Sequence, residues 1–179
     1  MFIDKNKAKM LLEKYGSPLY VYDENILRLR CKEMHNLFPH HNMRASYSVK
    51  ANTNLEFLKI VKDEDLDADV MSPGEIFMLL QAGFSPDRIM YIGNNVSPQE
   101  MQYAIDSGVL VSCDSLSQLE TYGNLNPHSN VVVRFNPGFG AGHNDKVVTG
   151  GKKTKFGIQK EFIPQVKELL KKYDLRLGI

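Results

Sequence analysis

The chain has 179 residues, 42% of them hydrophobic and 24% charged, with a net charge of +1. That composition suits a globular domain with room for one core. The near-neutral balance excludes the electrostatic footprint of a nucleic-acid or anionic-membrane binder, and no apolar run reaches the roughly eighteen residues that a bilayer span requires.

In chain order, Asp4 is placed to cap a helix running to Tyr15, which Gly16 stops. Pro18–Tyr22 is expected to form a short strand. Asp23 caps a second expected helix through Leu37, with apolar positions at Ile26, Leu27, Leu29, Met34 and Leu37. Beyond Pro39 the chain takes up a rhythm. A strand over Met43–Val49 precedes a helix over Leu55–Lys62, and a strand over Asp67–Met71 precedes a helix opened by Ser72-Pro73-Gly74-Glu75. Serine at the cap, proline at the first helical position and glutamate three residues after the serine make a strong start signal. Ser97-Pro98-Gln99-Glu100 repeats it after a strand over Ile89–Ile92. Strands over Val109–Ser112 and Val131–Phe135, helices over Ser115–Tyr122 and Phe162–Tyr173, and a strand from Leu175 complete the series.

Strict alternation of strands and helices implies a parallel sheet with helices packed outside it. An open dinucleotide-type sheet wants a glycine-rich turn after its first strand, and Lys50-Ala51-Asn52-Thr53 is not one. The strands instead share polar residues just past their carboxyl ends: Lys50, Asp69 with Ser72, Asn94 with Asn95, Asp114 with Ser115, and Arg134 with Asn136. In a (β/α)8 TIM-type barrel that edge carries the chemistry. Ser72, Asp114 and Ser115 are expected to cap the helices that follow them. Lys50 and Arg134 have no capping role, which makes them the sharper candidates. A lysine held there by a rigid element can be desolvated, as a Schiff-base lysine requires. A barrel needs eight strands and about 250 residues; six strands leave two open edges, so the sequence is expected to be a truncated barrel.

Other patterns carry less. Cys31 and Cys113 match no metal-ligand spacing. With so few cysteines, and no apolar leader in Met1–Lys5, the cytoplasm is the expected compartment. Gly138-Phe139-Gly140-Ala141-Gly142-His143 lacks dinucleotide-loop spacing, and Gly150-Gly151-Lys152-Lys153 lacks the rest of a P-loop. The stretch from Asn136 to Thr154 is long for a connection and is expected to be a functional loop or a mobile lid, with His143 more often exposed than functional. His40-His41 suits a solvated turn, and the basic run Lys152–Lys155 a solvated loop or a phosphate-facing patch.

Tyr47-Ser48-Val49-Lys50-Ala51-Asn52 resembles the cofactor-lysine motif of the fold-type III pyridoxal-phosphate decarboxylases. Further segments agree in order: Pro18–Asp23, Asp69–Glu75, Ile92–Asn95, Val111–Ser115, Arg134–Gly138 and Lys155–Ile158. The resemblance implies an alanine racemase-like barrel binding pyridoxal 5'-phosphate, with Lys50 as the covalent catalytic residue and Asp69 and Arg134 beside the cofactor. It implies a carbon-carbon lyase of amino-acid biosynthesis. The asparagine-proline-glycine loop and Lys-Phe-Gly-Ile favour the branch that converts meso-diaminopimelate to L-lysine over the ornithine and arginine branches. Ornithine or another basic amino acid, or a non-catalytic pyridoxal-phosphate barrel, stays open as an alternative.

By the same resemblance, residues 1–22 are a helix and strand that pair with a β-sandwich second domain, and residues 23–179 are the pyridoxal-binding part of the barrel. Relatives act as homodimers on small amino acids, without nucleic acid, membrane or metal. The family's ring-stacking histidine, phosphate loop and ring-nitrogen acid have no counterpart in these residues, so the 179-residue chain alone is expected to have little decarboxylase activity. Ser48 stands where the family usually carries alanine, a small change expected to be tolerated.

Overall fold

A computed structural model describes residues 2–38, 40, 42–141, 148–151 and 154–178. His41, His143, Lys152 and Lys153, named above, lie outside the described residues.

Helix α1 spans Lys5–Tyr15, capped by the Asp4 carboxylate on the Lys7 amide and ended by Gly16 at φ +84°. Helix α2 spans Glu24–His35 under an Asp23 cap. Then follow β1 (Ser46–Ser48), α3 (Leu55–Asp63), β2 (Asp67–Val70), α4 (Pro73–Gln81), β3 (Ile89–Tyr91) and α5 (Pro98–Asp106). The second half holds β4 (Leu110–Cys113), α6 (Leu116–Leu125), β5 (Asn130–Val133), β6 (Phe135–Asn136), β7 (Ile158–Gln159), α7 (Ile163–Tyr173) and β8 (Arg176–Leu177). Six strands form one sheet in the order β1-β2-β3-β4-β5-β8, every pair parallel, so each connection crosses over through a helix or a helix-bearing loop. The expected α/β architecture with a parallel sheet is what the chain forms.

The two faces of the sheet differ, and the sequence of β2 shows why. Asp67 and Asp69 are half-buried while Ala68 and Val70 are buried, a period of two where a strand covered on both faces would be apolar throughout. Ala68, Val70, Ile89, Tyr91 and Val111 pack with Leu58, Ile76, Leu79, Met101 and Leu119 from the helices into one core. Burying each of the valine, leucine, isoleucine and methionine side chains among them stabilises by about 1.5–3 kcal/mol. On the opposite face, Ser48 and Asp69 stand level in register. Where α6 meets α7, a Cβ on Gly123 would lie 2.3 Å from the Tyr173 ring, so only glycine admits that approach.

Several boundaries differ from expectation. Pro18–Tyr22 joins no ladder, because among the described residues no strand runs beside it to accept its backbone. The first strand is short: Val49–Ala51 coil into a 3-10 turn, which moves Lys50 off the strand and into that turn. Between β5 and α7 an unforeseen parallel pair forms, Phe135 opposite Ile158 and Asn136 opposite Gln159. This pair closes the base of the long loop.

Candidate functional site

The carboxyl ends of the strands form one polar edge. At its β1 side, the Ser48 hydroxyl donates to the Asp69 carboxylate, at 2.9 and 2.8 Å from its two oxygens. Lys50 follows on the 3-10 turn, which packs against β2. Its side chain is exposed, so these residues do not supply the desolvation expected of it. Among the described residues its ammonium has no ion pair and no hydrogen bond. The turn is held from below by Val49, fully buried, and by Tyr47, whose hydroxyl donates to the Asn52 carbonyl at 3.3 Å and whose ring packs on Phe57. Burial pushes the Tyr47 phenol up to about 12, so it stays a neutral donor.

The β4–β5 side of the edge is denser. Asp114 was expected as a helix cap, but the cap of α6 is Ser115, whose hydroxyl accepts from the Gln118 amide. Asp114 is only 8% exposed and gathers three partners instead. The Asn94 side-chain amide and the Gly157 backbone amide donate to it, the latter at 3.0 Å, and the Arg134 guanidinium lies 3.5 Å away. Gln118 seals the back, accepting from the Asp114 amide at 2.7 Å and donating to the Gly93 carbonyl at 3.2 Å. Arg134 also lies over the Phe156 ring, 4.8 Å from its centroid. Gly157 sits at φ +74°, and a Cβ there would come within 2.8 Å of the Asn136 amide, so the approach that brings its N–H to Asp114 requires glycine. Beneath this cluster the Cys113 thiol is fully buried and pushed up to about 12, by burial first and by Asp114 second.

Asn136 organises the adjoining loop. Its Oδ1 accepts from the Gly138 and Gly151 amides, and its Nδ2 faces the Gly151 carbonyl, the Thr154 hydroxyl and the Phe156 carbonyl at 3.1, 3.0 and 2.7 Å. Two protons serve three acceptors, so one bond is shared. The Asn-Pro-Gly run was a visible turn signal, since an asparagine oxygen reaching the amide two residues on closes an Asx turn.

The structure thus brings Lys50 and Asp69 to adjacent strand ends and places Arg134 three strands on, turned toward Asp114 and Phe156. The edge is an open surface. Cavities of about 500 and 550 Å³ lie elsewhere, the first walled by Tyr20, Tyr22 and Phe57 and the second by His35, His40 and Arg44. A smaller one, about 200 Å³, has Asn94, Asp114 and Lys155 in its wall. An unpartnered primary amine with a carboxylate and a guanidinium along one sheet edge suits an anionic cofactor that presents an aldehyde.

Comparison with known proteins agrees with this chemistry. The family model described as "Pyridoxal-dependent decarboxylase, pyridoxal binding domain" matches residues 24–179. A diaminopimelate decarboxylase of Methanothermobacter thermautotrophicus is 42% identical over 162 residues, which cover 89% of this chain and 38% of that protein. One from Staphylococcus aureus is 34% identical over 164 residues, covering 89% and 39%. Among solved structures, diaminopimelate decarboxylase from Helicobacter pylori complexed with L-lysine superposes with a TM-score of 0.86 at 25% identity, over 95% of this chain and 45% of that one. The chain therefore spans about two fifths of the length of the curated relatives it matches.

Proposed function

The chain belongs to the pyridoxal-binding-domain family of the pyridoxal-dependent decarboxylases, and on that premise we propose that it serves the decarboxylation of meso-diaminopimelate to L-lysine, with pyridoxal phosphate bound through Lys50. The observation that carries the reading is the position of Lys50, on a turn at the carboxyl edge of a parallel sheet beside Asp69, its amine without a protein partner among the described residues. The names of the relatives supply the substrate.

Bound pyridoxal phosphate supplies an aldehyde and a ring that accepts the electron pair left when carbon dioxide departs. The chain's own residues do the positioning. Lys50 presents its exposed amine from a turn anchored by Val49 and Tyr47. Asp69 sets a negative charge on the neighbouring strand. Arg134 brings a positive charge to the far end of the edge, steadied by Asp114 and by the Phe156 ring. In this proposal residues 23–179 carry the pyridoxal site and residues 1–22 dock against a further β domain. Support comes from α1, which buries no residue, and from Tyr20, which is 86% exposed. The working form is a cytoplasmic homodimer acting on a free amino acid, a compartment consistent with two buried free thiols.

The test is direct. Protein treated with pyridoxal phosphate and then borohydride is digested and mapped by mass spectrometry. A pyridoxyl group on the Lys50 peptide, lost to background in K50A, is the expected result. Label spread evenly over exposed lysines, with no preference for Lys50, would overturn the assignment.

A further inference from the structure

Ser48 and Asp69 are direct partners in the β1–β2 register, on the face of the sheet that the helices leave uncovered. A single hydroxyl proton lies between both carboxylate oxygens, at 2.9 and 2.8 Å. Among the described residues Asp69 has no other hydrogen-bond partner and no ion pair. Lys50 lies two residues beyond Ser48, on a turn packed against β2, yet among the described residues its ammonium makes no ion pair within 4.0 Å. An exposed lysine near a half-buried carboxylate has a modest gain to make by closing that contact. Here the carboxylate is already held by a neighbour with a shorter and stiffer side chain.

We propose that Ser48 is a positioning residue: its hydroxyl holds the Asp69 carboxylate against β1 and out of ion-pair contact with Lys50, leaving the Lys50 amine free to condense with an aldehyde. The purpose of that amine rests on the pyridoxal reading above; the geometry does not. Condensation requires the unprotonated nitrogen, whose lone pair attacks the carbonyl carbon, with water leaving as the imine forms. A carboxylate in contact with the nitrogen favours the protonated form and opposes the attack. Removing the Ser48 hydroxyl releases Asp69 toward Lys50 and slows the reaction.

Two aldehydes separate this inference from its premise. Reductive methylation with formaldehyde and cyanoborohydride, in which hydride adds to the imine carbon, reads the Lys50 amine without any cofactor site. Pyridoxal phosphate with borohydride reads the cofactor site as well. Rates are taken by peptide mapping, with the exposed Lys5 of the same chain as internal reference. In S48A the Lys50 rate with formaldehyde should fall about three- to tenfold, S48T should keep it within about twofold, and in a D69N background S48A should change nothing, since a neutral amide has no charge to pair. An S48A rate equal to or above the parent, or an equal deficit persisting beside D69N, overturns the proposal. Where S48A does not fold, S48C decides: its thiol fills the same space and donates weakly, so a partial slowing supports the role and an unchanged rate overturns it. Loss of Lys50 selectivity for pyridoxal phosphate in the parent protein would defeat the cofactor reading alone and leave the formaldehyde comparison to judge Ser48.

Discussion

The two ends of the polar edge are built on opposite plans. At the β1–β2 end there is one hydrogen-bonded pair, Ser48 with Asp69, and an exposed lysine beside it. At the β4–β5 end Asp114 ties three strand ends and the loop together through Asn94, Arg134 and Gly157, with Gln118 closing the back. In the proposed reading Lys50 is the covalent residue, which needs a side chain able to change partners, and the sparse end leaves it exposed and unpaired among the described residues. In the same reading Arg134 faces the anionic cofactor, and the dense end holds its guanidinium between Asp114 and the Phe156 ring. The difference teaches that hydrogen bonds are concentrated on one half of the edge while an exposed side chain is left without a described partner on the other.

Breaking the dense half should cost most. D114A removes the acceptor of the Asn94 amide and of the Gly157 N–H, and it strips Arg134 of its counter-charge. Hydrogen bonds to charged groups are worth about 1.5–3 kcal/mol each, so the loss of two is expected to cost about 3–6 kcal/mol of unfolding free energy in urea titrations. The Arg134 contact, long and partly exposed, adds the smaller share. D69N, the matching change in the sparse half, keeps an oxygen for Ser48 and should stay within about 0.5 kcal/mol of the parent. Equal losses for the two variants would erase the contrast.

The loop should respond next. N136A deletes the acceptor of two backbone amides and two donor protons shared by three acceptors, for about 4 kcal/mol at roughly 1 kcal/mol per neutral bond. Because β6 and β7 lie apart from the main sheet, the loss should show as faster amide exchange at Gly138, Gly151 and Ile158 while β2 and β3 stay protected. Uniform acceleration over the whole chain would instead make Asn136 part of the global core.

How much of this was legible beforehand follows from what each feature depends on. The helix starts were plain, because Ser72, Ser97 and Ser115 cap through local geometry and do so here. The parallel sheet followed from alternation alone. Lys50 and Arg134 were visible by exclusion, being polar strand-end residues with no capping use. Asp114 was misassigned because a residue just before a cap looks like a cap; its partners lie 20 and 43 residues away along the chain, and only the folded sheet brings them close. The Ser48–Asp69 bond was hidden for the same reason, since strand register is needed to set residues 21 apart level. Pro18–Tyr22 failed as a strand because pairing, not local pattern, makes one.

The smallest effect lies between the two halves, where α5 follows β3. Ser97 and Glu100 form a reciprocal capping box, the glutamate accepting from both the Ser97 amide, at 2.9 Å, and its hydroxyl, at 2.8 Å. Those two bonds, the amide first, hold the Glu100 carboxyl below the ordinary glutamate range, with burial opposing them. A carboxyl lowered in the folded state stabilises fully above its unfolded value of about 4.3 and loses that contribution as pH falls through the folded value. The cap of α4 is arranged differently, Glu75 accepting from the Met71 amide one residue ahead of the cap. Melting the parent and E100Q from pH 6 down to pH 3 should therefore show the parent losing slightly more Tm across the window just below pH 4.3. The glutamine keeps a neutral version of the same acceptor and has no proton to take up. Parallel Tm curves for the two proteins through that window would mean that the box fixes where α5 begins without linking its stability to pH.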